Sequence, residues 1–210
     1  ALICAVLITG CSAGCSSTLI DSTPPTIERA SAAVSPPAAV APAGRVLPLP
    51  GRPTEARYDT ATKSLVVLTP GANPTLTILR SGRAQAVPLP APATALTGDG
   101  NGTVWAATRG GVIRVDLATA TATPISIEGE AGTEFTAVAR RADGRLVLGS
   151  ATGTAYLLNA DMTVSHRAAD FARVDAIATQ GDIAVVLDRG QTSVTALGPD
   201  GKLQQALRAG

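Results

Sequence analysis

The amino-acid sequence predicts an all-β domain of the propeller class, and three observations carry that expectation. A unit recurs at about 40 residues, the period of propeller blades. Gly, Asp and Asn cluster at matching points of each unit, where tight hairpins need positive φ. No window of useful length shows the 3.6-residue apolar period of an amphipathic helix. The clearest copies run from Thr94-Ala95-Leu96 through Gly111 and from Thr136-Ala137-Val138 through Gly153. Between them, Asn101-Gly102-Thr103-Val104-Trp105-Ala106-Ala107 aligns without a gap on Asp143-Gly144-Arg145-Leu146-Val147-Leu148-Gly149. A third copy starts at Asp175-Ala176-Ile177 and reaches Gly190 with a shorter loop, and a weaker first copy carries Ala56-Arg57-Tyr58 and Lys63-Ser64-Leu65-Val66-Val67-Leu68.

Each copy reads as a meander of four short strands. The second strands, Thr103 to Ala107 and Arg145 to Gly149, are apolar on both faces, as a sheet packed between two neighbours requires. The third strands, Gly111 to Val115 and Thr154 to Leu158, read the same way. The expected blades span 53–90, 91–130, 131–170 and 171–210. Propellers have four to eight blades. The last copy supplies no extra strand to complete an earlier blade, so the expected architecture is a partial arc of a larger propeller, about seven-bladed. Its missing blades would lie C-terminal to Gly210.

The front of the chain differs in composition. Residues 1–15 read as a lipoprotein signal peptide and lipobox: Ala1 to Thr9 is apolar but too short to span a bilayer, which takes about 20 residues. Ile8-Thr9-Gly10-Cys11 fits a lipobox, with cleavage between Gly10 and Cys11 and a diacylglyceryl group on the Cys11 sulfur. The chain starts with Ala and has no basic segment before the apolar run, so the expectation includes a truncated start. Cys4 would leave with the signal peptide, and Cys15 follows a poorer lipobox. Residues 16–52 are rich in Ser, Thr, Ala and Pro, including Pro24-Pro25 and Pro36-Pro37, and bury too little apolar area to offset ordering. They read as a disordered tether.

Composition also excludes function classes. The 210 residues are 45% hydrophobic and 16% charged, with no heptad or G-X-Y period, which rules out a coiled coil or collagen. A net charge of +1 provides no electrostatic footprint for phosphate, so nucleic acid is not an expected partner. His166 is the single histidine, no G-x-S-x-G elbow surrounds any serine, and no C-x-x-C occurs. The expectation is therefore no catalytic set, no metal site and no cofactor. His166, beside Ser165, reads as an exposed turn residue. Asp99-Gly100-Asn101-Gly102-Thr103 has the oxygen-rich look of a calcium loop but lacks the glycine at position six and the closing Glu. Hairpin chemistry explains it. Arg140, Arg141 and Arg145 read as a solvated basic loop, and Trp105 as blade core. Charged residues near the inner strands, Arg57, Asp59, Asp175 and Asp188, are the candidates for a ligand site at the channel or ring face.

Several stretches resemble the mycobacterial lipoprotein LppL family and its actinobacterial relatives. They are Pro24-Pro25-Thr26-Ile27-Glu28, Ala33-Val34-Ser35-Pro36-Pro37, Phe135-Thr136-Ala137-Val138-Ala139-Arg140-Arg141, Phe171-Ala172-Arg173-Val174-Asp175 and Leu187-Asp188-Arg189-Gly190-Gln191-Thr192-Ser193-Val194. The resemblance implies a YVTN/NHL-type propeller lipoprotein of about twice the folded length. It implies lipidation at Cys11 and carries no catalytic residues. The expected protein is a scaffold lipid-anchored on the outer face of the cell membrane, binding a protein or cell-wall ligand without catalysis. The alternative is a lactonase-like or metal-assisted hydrolase using acidic residues of the channel.

Overall fold

The computed structural model describes residues 33–37, 39–40, 43–44 and 46–208; the signal peptide, Cys11 and most of the tether lie outside them. Sixteen strands follow in chain order. They are β1 Glu55–Asp59, β2 Ser64–Thr69, β3 Thr75–Arg80, β4 Arg83–Pro88, β5 Ala93–Gly98, β6 Thr103–Thr108, β7 Gly111–Asp116 and β8 Thr121–Ser126. The second half holds β9 Phe135–Arg140, β10 Leu146–Ser150, β11 Ala155–Leu158, β12 Val164–Ala168, β13 Ala176–Gln180, β14 Ile183–Asp188, β15 Ser193–Leu197 and β16 Leu203–Arg208. They form four antiparallel sheets of four strands, each an uninterrupted meander, so the repeat read from the sequence is the repeat of the structure. No helix occurs among the described residues.

Glycine turns make the meanders possible. Gly100, Gly102, Gly144 and Gly181 all adopt positive φ in the loops between first and second strands, where a β-carbon would be strained.

The inner strands β1, β5, β9 and β13 lie side by side, and the sheets stack face to face in chain order. Each contact between sheets has its own apolar core. Val66, Leu68, Leu76 and Ile78 of the first blade meet Leu96, Ala106, Ile113 and Val115 of the second. Trp105, Ala107 and Val112 then meet Phe135, Val138, Leu148 and Tyr156 of the third. Ala137, Val147, Ala155 and Leu157 meet Val174, Ala184, Val186 and Leu197 of the fourth. Both faces of the central blades are thus buried, which explains why their second strands are apolar at successive positions rather than alternate ones.

No apolar cluster of the described residues joins the fourth blade to the first. Tyr58 and Leu65 on the first blade and Ile183 and Val194 on the fourth stay exposed. The four blades form an open arc.

Two sequence expectations change here. Arg141, expected in a solvated loop, is only 2% exposed. Its guanidinium donates to the Pro199 carbonyl at 3.0 Å and lies 3.2 Å from Asp143, pinning the third blade to a turn of the fourth. Arg140 sits over the Trp105 ring at 5.8 Å instead of in solvent. His166, expected in an exposed turn, is a half-buried residue of β12, and the space above its ring is kept open by Gly201, where a β-carbon would approach to 2.9 Å.

Candidate functional site at the fourth blade

Equivalent positions in the four blades follow from strand register. Ala95 pairs with Ala107, Ala137 with Gly149 and Ala176 with Leu187, so the residues just before them, Thr94, Thr136 and Asp175, occupy one repeated position. Thr54 fills it in the first blade; the Thr54 and Asp175 amides donate to the equivalent carbonyls of Leu68 and Leu187. In the second and third blades the threonine hydroxyl is a staple. Thr94 reaches the Phe135 carbonyl of the next blade at 2.6 Å, and Thr136 reaches that of Val174 at 2.5 Å. A carboxylate cannot donate in this way. In the fourth blade the staple position is given over to Asp175.

A second position behaves alike. The last residue of each second strand is Thr69, Thr108 or Ser150 in the first three blades and Asp188 in the fourth. Two hydroxyl positions of the repeat have therefore become carboxylates in one blade, at the same end of the sheet.

The two carboxylates differ in role. Asp188 is fully buried, and its oxygens accept from the backbone amides of Ala172 at 2.6 Å, Arg173 at 3.4 Å and Gln191 at 3.0 Å. With that many donors it organises the loops and has little capacity left for a ligand. Asp175 is half-buried. One oxygen accepts from the Arg189 amide at 2.8 Å, and the other faces the Arg173 guanidinium at 3.5 Å. Asp188 thus holds the backbone at Ala172 and Arg173, which in turn places the Arg173 side chain against Asp175. Arg189 is exposed beside them.

The other two candidates are structural. Asp59 is buried and accepts from the Thr62 hydroxyl and amide and, across the blade boundary, from the Gly102 amide at 2.8 Å. Burial alone would raise its pKa, but these hydrogen bonds outweigh burial and hold the carboxyl below the usual aspartate range. Arg57 pairs with Glu55 and donates to the Leu96 carbonyl at 3.1 Å, while Glu55 accepts from the Leu96 amide. The shallow cleft beside them, lined by Tyr58, Asp59 and Gly98, measures about 60 Å³, room for little more than water.

A second charged group lies in the loop that joins the second blade to the third. Glu130 accepts from the Thr133 hydroxyl, the Tyr156 hydroxyl at 3.0 Å and the Arg167 guanidinium at 2.9 Å. Burial raises its pKa and these three donors lower it by more, so the carboxyl lies below the ordinary glutamate range. A depressed carboxylate stabilises the fold above its unfolded pKa of about 4.3, and that contribution is lost as pH falls through the folded value. Acid titration of thermal stability should show a loss below about pH 4 that is smaller in Glu130→Gln, the wild type falling more steeply with each step of pH.

Ser165 is no nucleophile: its hydroxyl donates to the Leu157 carbonyl at 2.9 Å, next to His166 on a strand. Asp99 accepts from the Asn101 and Thr103 amides as a hairpin turn requires, and offers no calcium loop. Among the described residues no group of three or more His, Cys, Asp or Glu side chains is arranged to hold a metal.

No family model matches the chain, and no curated protein matches it. Solved structures do. Virginiamycin B lyase from Staphylococcus aureus superposes with a TM-score of 0.65 at 15% identity, covering 78% of this chain and 58% of the lyase. A streptogramin B lyase gives 0.65 at 14% identity, covering 78% and 57%. A chain of a mitotic checkpoint complex gives 0.62 at 15% identity, covering 74% and 52%. The fold is that of a β-propeller. The chain spans a little over half the length of the two lyases. At such identity the likeness establishes the propeller alone, the coarser part of the resemblance read from the sequence; no family model supports the specific lipoprotein family.

The propeller neighbours correct one expectation. Absence of a Ser-His-Asp set and of clustered histidines pointed to a scaffold without catalysis, yet two of the structures this arc matches are lyases. Missing motifs do not exclude catalysis here, because a propeller gathers polar groups from different blades, far apart in sequence, so no local motif need announce them.

Proposed function

We propose that this chain is part of a bond-cleaving propeller enzyme, a lyase or hydrolase, whose reacting centre lies at the ring face of the fourth blade. The observation that carries the reading is the exchange of the repeat's threonine for Asp175, which faces the Arg173 guanidinium and accepts from the Arg189 backbone amide. In this reading the Asp175 carboxylate acts as general base, and the Arg173 guanidinium stabilises negative charge developing on the substrate. Asp188 positions Arg173 from beneath through the backbone. The likeness to virginiamycin B and streptogramin B lyases supports virginiamycin B and streptogramin B as the first substrates to try. Incubating the protein expressed from its complete gene with streptogramin B and a panel of lactones, followed by mass spectrometry, should reveal a cleaved product. Turnover equal to that of an Asp175→Asn variant would refute the assignment.

The same proposal includes the address. Lipidation at Cys11 and a tether over residues 16–52 would hold the propeller on the outer face of the cell membrane, supported by the Ile8-Thr9-Gly10-Cys11 pattern and the Pro-rich composition behind it. Intact mass after membrane extraction, beside Cys11→Ala, tests it: an acylated N-terminal cysteine is expected in the wild type alone.

A further inference from the structure

The hairpin turns between third and fourth strands, at the far end of the sheets from Asp175, have a repeated position of their own. Leu68 pairs with Leu76, Ala107 with Val112, Gly149 with Ala155 and Leu187 with Val194. Four residues further along stand Arg80, Asp116, Asn159 and Gly198. Asp116 accepts from the Ala118 and Thr119 amides of its own turn, Asn159 donates its side-chain amide to the Thr163 hydroxyl, and Gly198 has no side chain. Arg80 reaches outward instead. Its Nε donates to the Ser64 hydroxyl oxygen at 2.8 Å, and its Nη2 donates to the Leu117 carbonyl of the second blade at 3.0 Å. The guanidinium is thereby held half-buried where the first two blades meet.

Directly opposite Arg80 in the register is a second arginine, the exposed Arg83. Like charges paired in this way destabilise an antiparallel ladder. The other blades avoid it: Asp116 faces Thr121, and the Asn159 and Gly198 amides donate across their turns to the Thr163 and Lys202 carbonyls. Among the described residues neither Arg80 nor Arg83 forms an ion pair with a carboxylate. Asp59 feels the Arg80 charge, but its oxygens are committed to Thr62 and the Gly102 amide. The two arginines line an open groove of about 280 Å³ together with Ser81, Gln85 and the buried Ile78. Its walls contribute two positive charges and no negative one.

We infer that this groove binds the dianionic phosphate of a small phosphate ester. Charge decides the chemistry: a phosphate dianion neutralises both guanidinium groups, whereas a single carboxylate neutralises one. The planar fork of each arginine matches phosphate oxygens, and the Ser81 hydroxyl and Gln85 amide add neutral donors beside them. The volume approaches the lower end of small-molecule sites, and the apolar Ile78 side chain suits a ligand that carries carbon as well as phosphate. Arg80 is already fixed by Ser64 and Leu117, so little ordering remains to be done on binding.

Isothermal titration calorimetry of the protein expressed from its complete gene tests this, with glycerol phosphate, inorganic phosphate and acetate as probes. Glycerol phosphate should bind saturably, inorganic phosphate more weakly, and acetate at least tenfold more weakly than the ester. Affinity for the ester should fall as pH drops through about 6, where phosphate gives up its second charge. Arg83→Gln should weaken binding at least tenfold. The same variant should not lower Tm in phosphate-free buffer, because it relieves the like-charge pair with Arg80. Arg114→Gln, at an exposed arginine of β7, should leave the affinity unchanged and so separates a site from general charge attraction. Absence of saturable binding would overturn the inference, as would acetate bound as tightly as the ester, or full affinity in Arg83→Gln. Inorganic phosphate bound as tightly as glycerol phosphate would overturn the assignment to an ester.

Discussion

Gly153→Ala is expected to lower stability by about 4 kcal/mol, near the upper end for a single substitution. Gly153 has φ +81°, and a β-carbon there would sit 1.8 Å from the Phe171 carbonyl oxygen and 2.6 Å from its carbon. Both contacts are with backbone, so no side-chain rotation can relieve them. The Gly153 carbonyl also accepts the Phe171 amide at 3.2 Å, which locks the turn after β10 to the segment leading into β13. That segment carries Arg173 and Asp175. The substitution should therefore displace the proposed site as well as destabilise the arc, with a fall in Tm of roughly 10 °C for a domain of this size, measured by calorimetry. Gly129→Ala is the control, since nothing lies within 4 Å of a β-carbon there; its φ of +78° leaves only a backbone cost of about 1 kcal/mol.

Phe135→Ala should cost about 3–5 kcal/mol. The ring is wholly buried between the second and third blades and meets Tyr156 edge-on, with centroids 5.3 Å apart and planes at 82°. Its removal leaves a cavity beside Val138 and Leu148 in a core with only two aromatic neighbours, Trp105 and Tyr156, to move inward. It also loosens Tyr156, whose hydroxyl holds Glu130, so the acid sensitivity described above should weaken along with stability. Chemical denaturation reads the first effect, and the pH dependence of Tm in the same variant reads the second. Phe135→Leu should recover more than half of the lost stability, because most of the volume returns.

The blades were legible because their signals are local. Apolar second strands and glycine turns recur in fixed order, and stacking adds no new requirement to each copy. Arg141 was illegible for the opposite reason: its burial depends on the Pro199 carbonyl, fifty-eight positions along the chain and in another blade. The arginine pair Arg140-Arg141, with Arg145 four residues on, gives no sign of that partner. Among the acidic candidates, Asp59 and Asp175 look alike as single residues next to inner strands. What separates them is the repeat itself. The alignment of Thr94 with Thr136 and Asp175 was available from sequence, and it marks Asp175 as the exception to a threonine position. Arg173 and Arg189 could not be singled out, since only the fold around Asp188 brings them to Asp175.

The same comparison explains why hydroxyls suit the other blades. Thr94 and Thr136 each join two inner strands through a donated hydrogen bond, worth about 1 kcal/mol apiece. Asp175 cannot donate such a bond, and among the described residues no blade follows the fourth to present a carbonyl for one.

Replacing Asp175 by the residue the repeat prescribes therefore tests the account most directly. Tm and turnover would be measured together on Asp175→Thr in the protein expressed from its complete gene. The account predicts a Tm within about 3 °C of the wild type or above it, since threonine is at home at this position and the change in stability should stay near 1 kcal/mol, together with loss of the bond-cleaving activity by at least a hundredfold. A variant that keeps full turnover, or that unfolds while the wild type stays folded, would show that Asp175 is a structural residue and that the site lies elsewhere.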